Sequence, residues 1–291
     1  MNPKDFIHPE DAAALQTLQA IPGFPQLVKK LLALGIEQMQ YGVNMASSIR
    51  LSEKQLPDLY RHLPPICAKL GIAEPEFYLQ MDPQPNAWTC GDTRIWITIT
   101  SGLVDMMNEE ELDAVIAHEC GHILCRHVLY HTMASWISAG LTSNGLFDKL
   151  ALPAQLALCY WQRKSELSAD RAAAIITSPE VVAHMMARFS GGPQDITSAI
   201  NIEEWAKQAD QYEAIRNDGL WNKTLQMAVT ATLSHPFAAV RVREILKWKE
   251  SGAYAQLANT MNEIESKCCP QCGKPVESDW SYCRHCGYCL M

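Results

Sequence analysis

Residues 112–131 read LDAVIAHECGHILCRHVLYH and contain the pattern H-E-x-x-H. Asn108 precedes this stretch as a helix-capping residue, and Glu111 follows it at the spacing of a capping box. Apolar residues then recur at helical spacing. The stretch therefore predicts a helix that carries His118 and His122 one turn apart on the same face.

The two histidines of this helix indicate a metal site. Two imidazoles so placed can hold one zinc ion at about 2.0–2.1 Å each. Glu119, next to the first of them, is positioned to take a proton from a water on that metal. We expect the helix to run to about residue 138. His127 and His131 would then point about half a turn away from His122, as packing or surface residues.

Glu166 and Asp170 are the best candidates to complete such a site. They lie one turn apart on a helix predicted over residues 156–177. Glu166 would complete a set of two histidines and one glutamate, which leaves the fourth position for water. Asp170 could accept the second ring N–H of a ligating histidine. A solvated acidic face is the alternative, but the missing third ligand favours the metal site.

Two stretches, residues 76–81 and 93–100, carry the β signal because they are rich in β-branched and aromatic residues. Residues 82–91 between them form either an ordinary connecting loop or an edge strand to which an extended peptide could add. The rest of the chain reads as helical. We therefore predict an α+β, mostly helical fold with a small sheet beside the motif helix.

The tail predicts a second metal site. Its cysteines follow the spacing C-x2-C-x10-C-x2-C, with a glycine after each pair, and four thiolates so spaced form a closed zinc site that can fold a short ribbon. The predicted ligands are Cys269, Cys272, Cys283 and Cys286, and the spare donors are Cys268, His285 and Cys289. The ribbon is a structural element, a docking module for a protein partner or a lid on the cleft.

Composition narrows the class of protein. The chain has 291 residues, 48% of them hydrophobic, and a net charge of −8, which argues against binding to nucleic acid or an anionic membrane surface. No signal peptide and no apolar run long enough for a membrane span are visible. Six of the eleven cysteines fall in the last 24 residues, which fits reduced thiols around a metal and predicts a cytoplasmic protein.

Several separated motifs resemble the metallopeptidase family that includes HtpX and the CAAX prenyl proteases, over about residues 50–250. In chain order they are TSGL at 100–103, EEL at 110–112, AHECGH at 117–122, ELSADR at 166–171 and HP at 235–236. Asn86, Ala87 and Trp88 resemble the family's N-A-F edge-strand motif, with Trp in place of Phe. HtpX and the prenyl proteases span the membrane several times, whereas this sequence shows no membrane span. Prenylated substrates are therefore not implied for this chain.

The resemblance implies a gluzincin, in which His118, His122 and Glu166 hold the catalytic zinc. Glu119 would be the general base, and Asp170 would support a histidine ligand. Other roles follow from the family's H-P-x-x-x-x-R motif.

In that motif, His235 would donate a hydrogen bond to the oxyanion of the tetrahedral intermediate. Arg241 would orient His235 or a carboxylate of the cleft. Residues 86–88 would bind the substrate.

The sequence thus predicts three regions and one activity. Residues 1–62 form a helical region packed on the catalytic domain, residues 63–265 the zinc metallopeptidase domain and residues 267–291 the zinc ribbon. We expect a metalloendopeptidase that binds one catalytic and one structural zinc ion and acts on polypeptides through a metal-activated water. A latent or inactive relative, serving as a zinc-holding scaffold or protein-binding module, is the alternative.

Overall fold

Many helices and one small sheet make up the fold, which the computed structural model describes for residues 1–24, 26, 28, 35–138, 152–217, 237–265, 281–284 and 286–289. The chain divides into two compact units, Met1–Ile245 and Leu246–Met291. The described helices are α1 (Pro9–Gln19), α2 (Ile36–Ser47), α3 (Pro57–Tyr60), α4 (Leu63–Leu70), α5 (Ser101–Met106), α6 (Glu109–Leu124), α7 (Val128–Ser138), α8 (Leu152–Ile176), α9 (Pro179–Gly191), α10 (Gln194–Thr197), α11 (Ile202–Ala206), α12 (Gln208–Asn217), α13 (Ala238–Glu250) and α14 (Ala253–Glu265). The strands are β1 (Ile49–Arg50), β2 (Glu76–Gln80), β3 (Ala87–Cys90) and β4 (Trp96–Thr100). Within these ranges no helix is long and apolar enough to cross a lipid bilayer.

The four strands form one sheet in the order β1-β2-β4-β3. β4 is buried along its whole length. It pairs in parallel with β2, Trp96 opposite Glu76, and antiparallel with β3, Ile99 opposite Ala87. β3 therefore lies at the edge of the sheet, so residues 87–90 form an edge strand and not a connecting loop. The predicted α+β, mostly helical fold is confirmed.

Helix α6 begins as its sequence predicts. Asn108 Oδ1 accepts a hydrogen bond from the N–H of Glu111 at 2.9 Å, and Glu111 Oε2 accepts one from the N–H of Asn108 at 3.1 Å. The capping box is therefore confirmed. The other oxygen of Glu111 accepts a hydrogen bond from Nε of Arg188 at 2.9 Å, so the same carboxylate also anchors α9 to the start of the motif helix.

The end of α6 differs from the prediction of one helix to residue 138. α6 stops at Leu124, and α7 starts at Val128. Arg126 between them has φ +60°, in the left-handed region, and the N–H of His127 donates to the carbonyl of His122 at 2.9 Å. No glycine or proline marks this turn in the sequence. The turn brings the histidines that follow back toward His122.

Small residues let α6 and α8 approach closely. A Cβ atom at Gly121 would lie 2.7 Å from the Cβ of Ala172 and 3.1 Å from the Cα of Ala169. Both alanines are fully buried. A larger side chain at any of these positions would separate the helices. The close approach lets the carboxylate of Glu166 on α8 reach the histidine pair on α6.

Helix α1 packs against α8 through a buried apolar cluster. The cluster comprises Ala14, Leu18, Phe24, Val28, Met133, Ala134, Leu158 and Trp161. Asp11, on the same helix, is only 1% exposed. A carboxylate buried this deeply needs polar partners, and the partners of Asp11 lead toward the candidate metal centre.

We predict opposite effects for two glycine-to-alanine changes within helices. Gly121→Ala forces a methyl group against Ala172 and lowers the free energy of unfolding by about 1–3 kcal/mol, as overpacking does. Gly42→Ala in α2, where nothing lies within 4 Å of the new Cβ, provides the control. It raises the free energy of unfolding by about 0.5–1 kcal/mol through helix propensity. Urea denaturation in the presence of a chelator measures both, and equal stabilisation of the two variants would contradict the close packing.

Candidate metal centre

Three buried side chains converge between α6 and α8. The Nε2 atoms of His118 and His122 lie 3.2 Å apart. Glu166 Oε2 lies 3.4 Å from Nε2 of His118, and Glu166 Oε1 lies 3.4 Å from Nε2 of His122. Each of the three side chains is at most 3% exposed. The structure thus brings together the three residues that the sequence nominated as ligands of the catalytic metal.

The spacing of these donor atoms fits zinc. Atoms bound at about 2.0–2.1 Å to a tetrahedral zinc ion lie about 3.3–3.4 Å from one another. In the structure the two imidazole nitrogens lie 3.2 Å apart, and each lies 3.4 Å from one of the two oxygens of Glu166. Two imidazole nitrogens and one carboxylate are also a donor set of catalytic zinc sites, which keep one position for water or substrate. Because electron pairs that face one another repel, the arrangement favours a cation between them.

Asp170 and Arg241 support this set from behind. Asp170 Oδ1 lies 3.0 Å from Nδ1 of His118. Arg241 donates to both oxygens of Asp170, at 2.8 Å from Nε and 2.6 Å from Nη2. Its Nη1 lies 3.2 Å from Glu166 Oε2. The guanidinium therefore balances two buried carboxylates, and Asp170 orients the ring of His118 with Nε2 toward Glu166.

Burial and charge shift the pKa values of these groups. Burial raises the pKa of Asp170, but the charge and hydrogen bonds of Arg241 outweigh it, and the net shift is downward. Burial lowers the pKa of His118, yet the hydrogen bonds and charges of Asp170 and Glu166 raise it to about 9. Burial also lowers the pKa of His122, and here it prevails over the carboxylate of Glu166. In the metal-free protein, His118 therefore holds a proton at neutral pH that a metal ion has to displace.

The carboxylate of Glu119 is held by a residue that no sequence motif had indicated. Oγ1 of Thr89 donates a hydrogen bond to Glu119 Oε2 at 2.6 Å. Thr89 lies on the edge strand β3, where Ala87 and Thr89 are buried and the alternate residues are half-buried. A polar side chain on the buried face of an edge strand is the only signal that the sequence offered for this contact.

A cavity of about 330 Å³ opens beside Glu119. Its lining includes the polar residues Asn86, His118, Glu119 and Arg241 and the apolar residues Met185, Met186 and Phe189. Ala87 of the predicted substrate-binding residues also lines the cavity, whereas its neighbour Trp88 does not. The predicted base, one predicted ligand and part of the edge strand thus face the same space.

Two further histidines lie beside His122. Nδ1 of His127 is 3.1 Å from Nδ1 of His122, and the ring centroid of His131 is 4.5 Å from that of His122. The prediction that both point away from His122 is wrong, because it assumed a continuous helix. Nε2 of His127 lies 3.1 Å from Oδ2 of Asp11, a residue that the sequence had not nominated for any site.

Three of the remaining nominated residues lie outside the described ranges, namely His235, Cys269 and Cys272. Cys283 and Cys286 are described. The N–H of Cys283 donates to the carbonyl of Tyr288, and the N–H of Gly287 donates to the carbonyl of Cys283, both at 2.8 Å. The second cysteine pair of the predicted ribbon therefore stands in a closed turn.

Comparisons with known proteins place these residues in a family context. A family model described as "Peptidase family M48" matches residues 53–249. The chain is 33% identical over 263 residues to "Plastoglobule-localized metallopeptidase 48, chloroplastic" of Arabidopsis thaliana, a match that covers 89% of this chain and 76% of that relative. It is 24% identical over 262 residues to a "Protease HtpX homolog" of Ralstonia nicotianae, covering 77% and 87%. A match to the HtpX homolog of Pelotomaculum thermopropionicum, 32% identical over 120 residues, spans 38% of this chain and only 43% of that relative. No solved structure matches the chain significantly.

We predict that zinc binding at this centre weakens as the pH falls below 9. Since the pKa of His118 is about 9 in the metal-free protein, zinc must release this proton below that pH. The apparent affinity then falls about tenfold per pH unit. Competition with a chelating dye between pH 6 and pH 10 measures it.

Asp170→Asn is the matched variant for this titration. It removes the negative charge that helps to raise the pKa of His118, so the decline in zinc affinity should begin at a lower pH than in the parent. An affinity that is constant between pH 6 and pH 9 in the parent would contradict the prediction.

Proposed function

The chain belongs to peptidase family M48, and on that premise we propose that it is a zinc metalloendopeptidase in which Glu119 is the general base. Membership of this family and metallopeptidase relatives make the protein a zinc-dependent protease, a hydrolase that acts on peptide bonds. The convergence of His118, His122 and Glu166 at 3.2–3.4 Å is the observation that carries the finer proposal. The finer proposal has two parts. The cleaved bond lies within a polypeptide, and Glu119 and the other named residues have the roles described below.

Glu119 has the position that proton transfer requires. When bound to the three donors, zinc supplies Lewis-acid chemistry, because it polarises the substrate carbonyl and acidifies water. Glu119 takes a proton from the attacking water and delivers it to the leaving amine nitrogen as the C–N bond breaks. Its Oε2 is held by Thr89 at 2.6 Å. One carboxylate oxygen is thus fixed while the other can carry the proton.

Two further residues complete the proposed machinery. Arg241 pairs with Asp170 and Glu166, which supports a role in orienting these carboxylates. The resemblance allowed Arg241 to orient either His235 or a carboxylate of the cleft, and these contacts favour the carboxylate. His235 lies outside the described residues. Its proposed role, a hydrogen bond to the oxyanion of the tetrahedral intermediate, rests on the sequence resemblance alone.

We propose that the substrate peptide binds along the edge strand β3. In the described part of the chain its outer side pairs with no other strand, so an extended peptide can add to it by main-chain hydrogen bonds. Asn86 and Ala87 face the cavity beside Glu119. Met185, Met186 and Phe189, which also line this cavity, favour an apolar side chain next to the cleaved bond. Trp88 would contact the substrate outside this cavity.

We retain the zinc ribbon over residues 267–291 as part of the proposal. The closed turn between Cys283 and Gly287 supports it, since such a turn can direct two cysteines toward one metal ion. A ribbon of this kind would add a second, structural zinc and a docking surface for a protein partner. The crowding of cysteines in the tail also favours a reducing compartment, and we propose the cytoplasm. The name of the Arabidopsis relative gives a plastoglobule location for that protein.

We expect Glu119→Gln to retain zinc and to lose at least about a hundredfold in peptide cleavage, the lower end of what a general base contributes. Cleavage of an unstructured protein substrate and metal analysis measure the two properties. Glu110→Gln is the control, because Glu110 is exposed on the same helix. Equal cleavage by the parent and Glu119→Gln would exclude the proposed base.

The ribbon predicts a metal stoichiometry of two. The parent chain should hold two zinc ions, and Cys283→Ser should hold one because a thiolate ligand is lost. Cys289→Ser, which changes an exposed neighbouring cysteine, should hold two. Metal analysis after gel filtration gives the counts. Loss of zinc from Cys289→Ser but not from Cys283→Ser would show that the ligand set is different.

A further inference from the structure

A hydrogen-bonded chain runs from helix α1 to the back of His122. Nδ1 of His122 lies 3.1 Å from Nδ1 of His127, and Nε2 of His127 lies 3.1 Å from Oδ2 of Asp11. Asp11 and His127 are each 1% exposed. Asp11 precedes residues 53–249, the part of the chain that the family model matches. The metal centre therefore has a neighbour that no motif of the family region supplies.

The partners of Asp11 show that its carboxylate accepts hydrogen bonds on both oxygens. Nε1 of Trp161, which can only donate, lies 3.0 Å from Oδ1. The hydroxyl of Ser168 lies 2.6 Å from Oδ2 and accepts the N–H of His8 at 3.0 Å, so its own proton points to Asp11. Burial raises the pKa of Asp11, but the bonds from His127, Ser168 and Trp161 lower it below its usual value. An ionised Asp11 leaves the proton between the two side chains on Nε2 of His127.

One set of proton positions then satisfies the whole chain. With its proton on Nε2, His127 presents an electron pair on Nδ1 and accepts a hydrogen bond from the Nδ1–H of His122. With its proton on Nδ1, His122 presents the electron pair of Nε2 to His118 and Glu166, which lie within 3.4 Å. That is the tautomer that a metal ligand needs.

We propose that Asp11 and His127 position His122 as a metal ligand and fix its tautomer, so that helix α1 is a working part of the metal centre. The inference rests on the proposed zinc site. It gives His122 the kind of support that Asp170 gives His118, with one difference. Asp170 lies directly against Nδ1 of its histidine, whereas Asp11 acts through a second imidazole.

A second metal ion is the competing explanation for this cluster. Nitrogen atoms of His122, His127 and His131 lie within 4.8 Å of one another. Such an ion would take Nδ1 of His122, which would then have to bridge two metals. Nε2 of His131 lies 2.6 Å from the hydroxyl of Ser165, and that hydroxyl donates to the carbonyl of Gln162 at 2.7 Å. His131 thus donates to Ser165, and the hydrogen-bonded chain accounts for the other two histidines without a second ion.

The test compares zinc affinity among variants of the full chain, by competition with a chelating dye at one pH. Asp11→Asn keeps the shape but places an amide N–H among three donors, so the affinity of the His118 site should fall about 10–100-fold. Glu10→Gln is the control, because it makes the same carboxylate-to-amide change at an exposed residue of the same helix. It should change the zinc affinity less than threefold.

A second pair of variants separates positioning from simple packing. His127→Gln keeps an acceptor and a donor in the same order as the imidazole, whereas His127→Leu keeps only the bulk. Zinc affinity should fall about 10–100-fold in His127→Leu and be largely retained in His127→Gln. The absorption spectrum of the cobalt-substituted protein should shift in His127→Leu, since the basicity of His122 changes.

The outcomes distinguish the relay, which is the hydrogen-bonded chain from Asp11 through His127 to His122, from the zinc site on which it rests. The zinc ion that is lost in His118→Ala is the one bound at this site. If the parent binds no such ion, the proposed zinc site fails. If the parent binds it and neither Asp11→Asn nor His127→Leu weakens it, the relay fails. An extra zinc equivalent that is lost in both His127 variants would replace the relay with a second metal ion.

Discussion

The structure of the first unit depends on one electrostatic constraint, the meeting of two imidazole nitrogens and a carboxylate within 3.4 Å of one another in a buried space. Such groups repel unless a metal ion or the proton of His118 lies between them. Each is also held from behind, His118 by Asp170, His122 by His127 and Glu166 by Arg241. Close packing supplies the rest, because only a small residue at Gly121 lets α6 and α8 approach far enough. The site therefore combines repulsive donors with a scaffold that leaves them little room to separate.

Much of this centre is visible in the sequence because it follows helical periodicity. The capping box at Asn108 and Glu111 predicts where α6 begins, and the spacing of His118 and His122 predicts their common face. The same rule pairs Glu166 with Asp170 on α8. Within one uninterrupted helix, a spacing of four residues is sufficient to predict that two side chains share a face, and the two pairs above could be predicted in this way.

Other parts depend on contacts between distant segments and could not be predicted in this way. Arg126 takes a left-handed conformation without a glycine or proline to announce it, since the contacts of His127 with His122 and Asp11 favour the turn over a longer helix. Thr89 contacts Glu119 from the edge strand β3. The sequence predicted either an edge strand or a connecting loop for this segment. Asp11 lies far from His127 in sequence, and Glu119 lies far from Thr89, so helical periodicity carries no information about either contact.

The residues around the metal centre lie far apart along the chain. This separation determines when the centre can be completed during synthesis. Arg241, which pairs with Asp170 and Glu166, lies only four residues before Ile245, where the first unit ends. A chain still emerging from the ribosome holds the histidine pair long before it holds this arginine, and contacts between such distant segments form late in folding. The charge of Arg241 therefore joins the metal centre only after nearly the whole of the first unit has been synthesised.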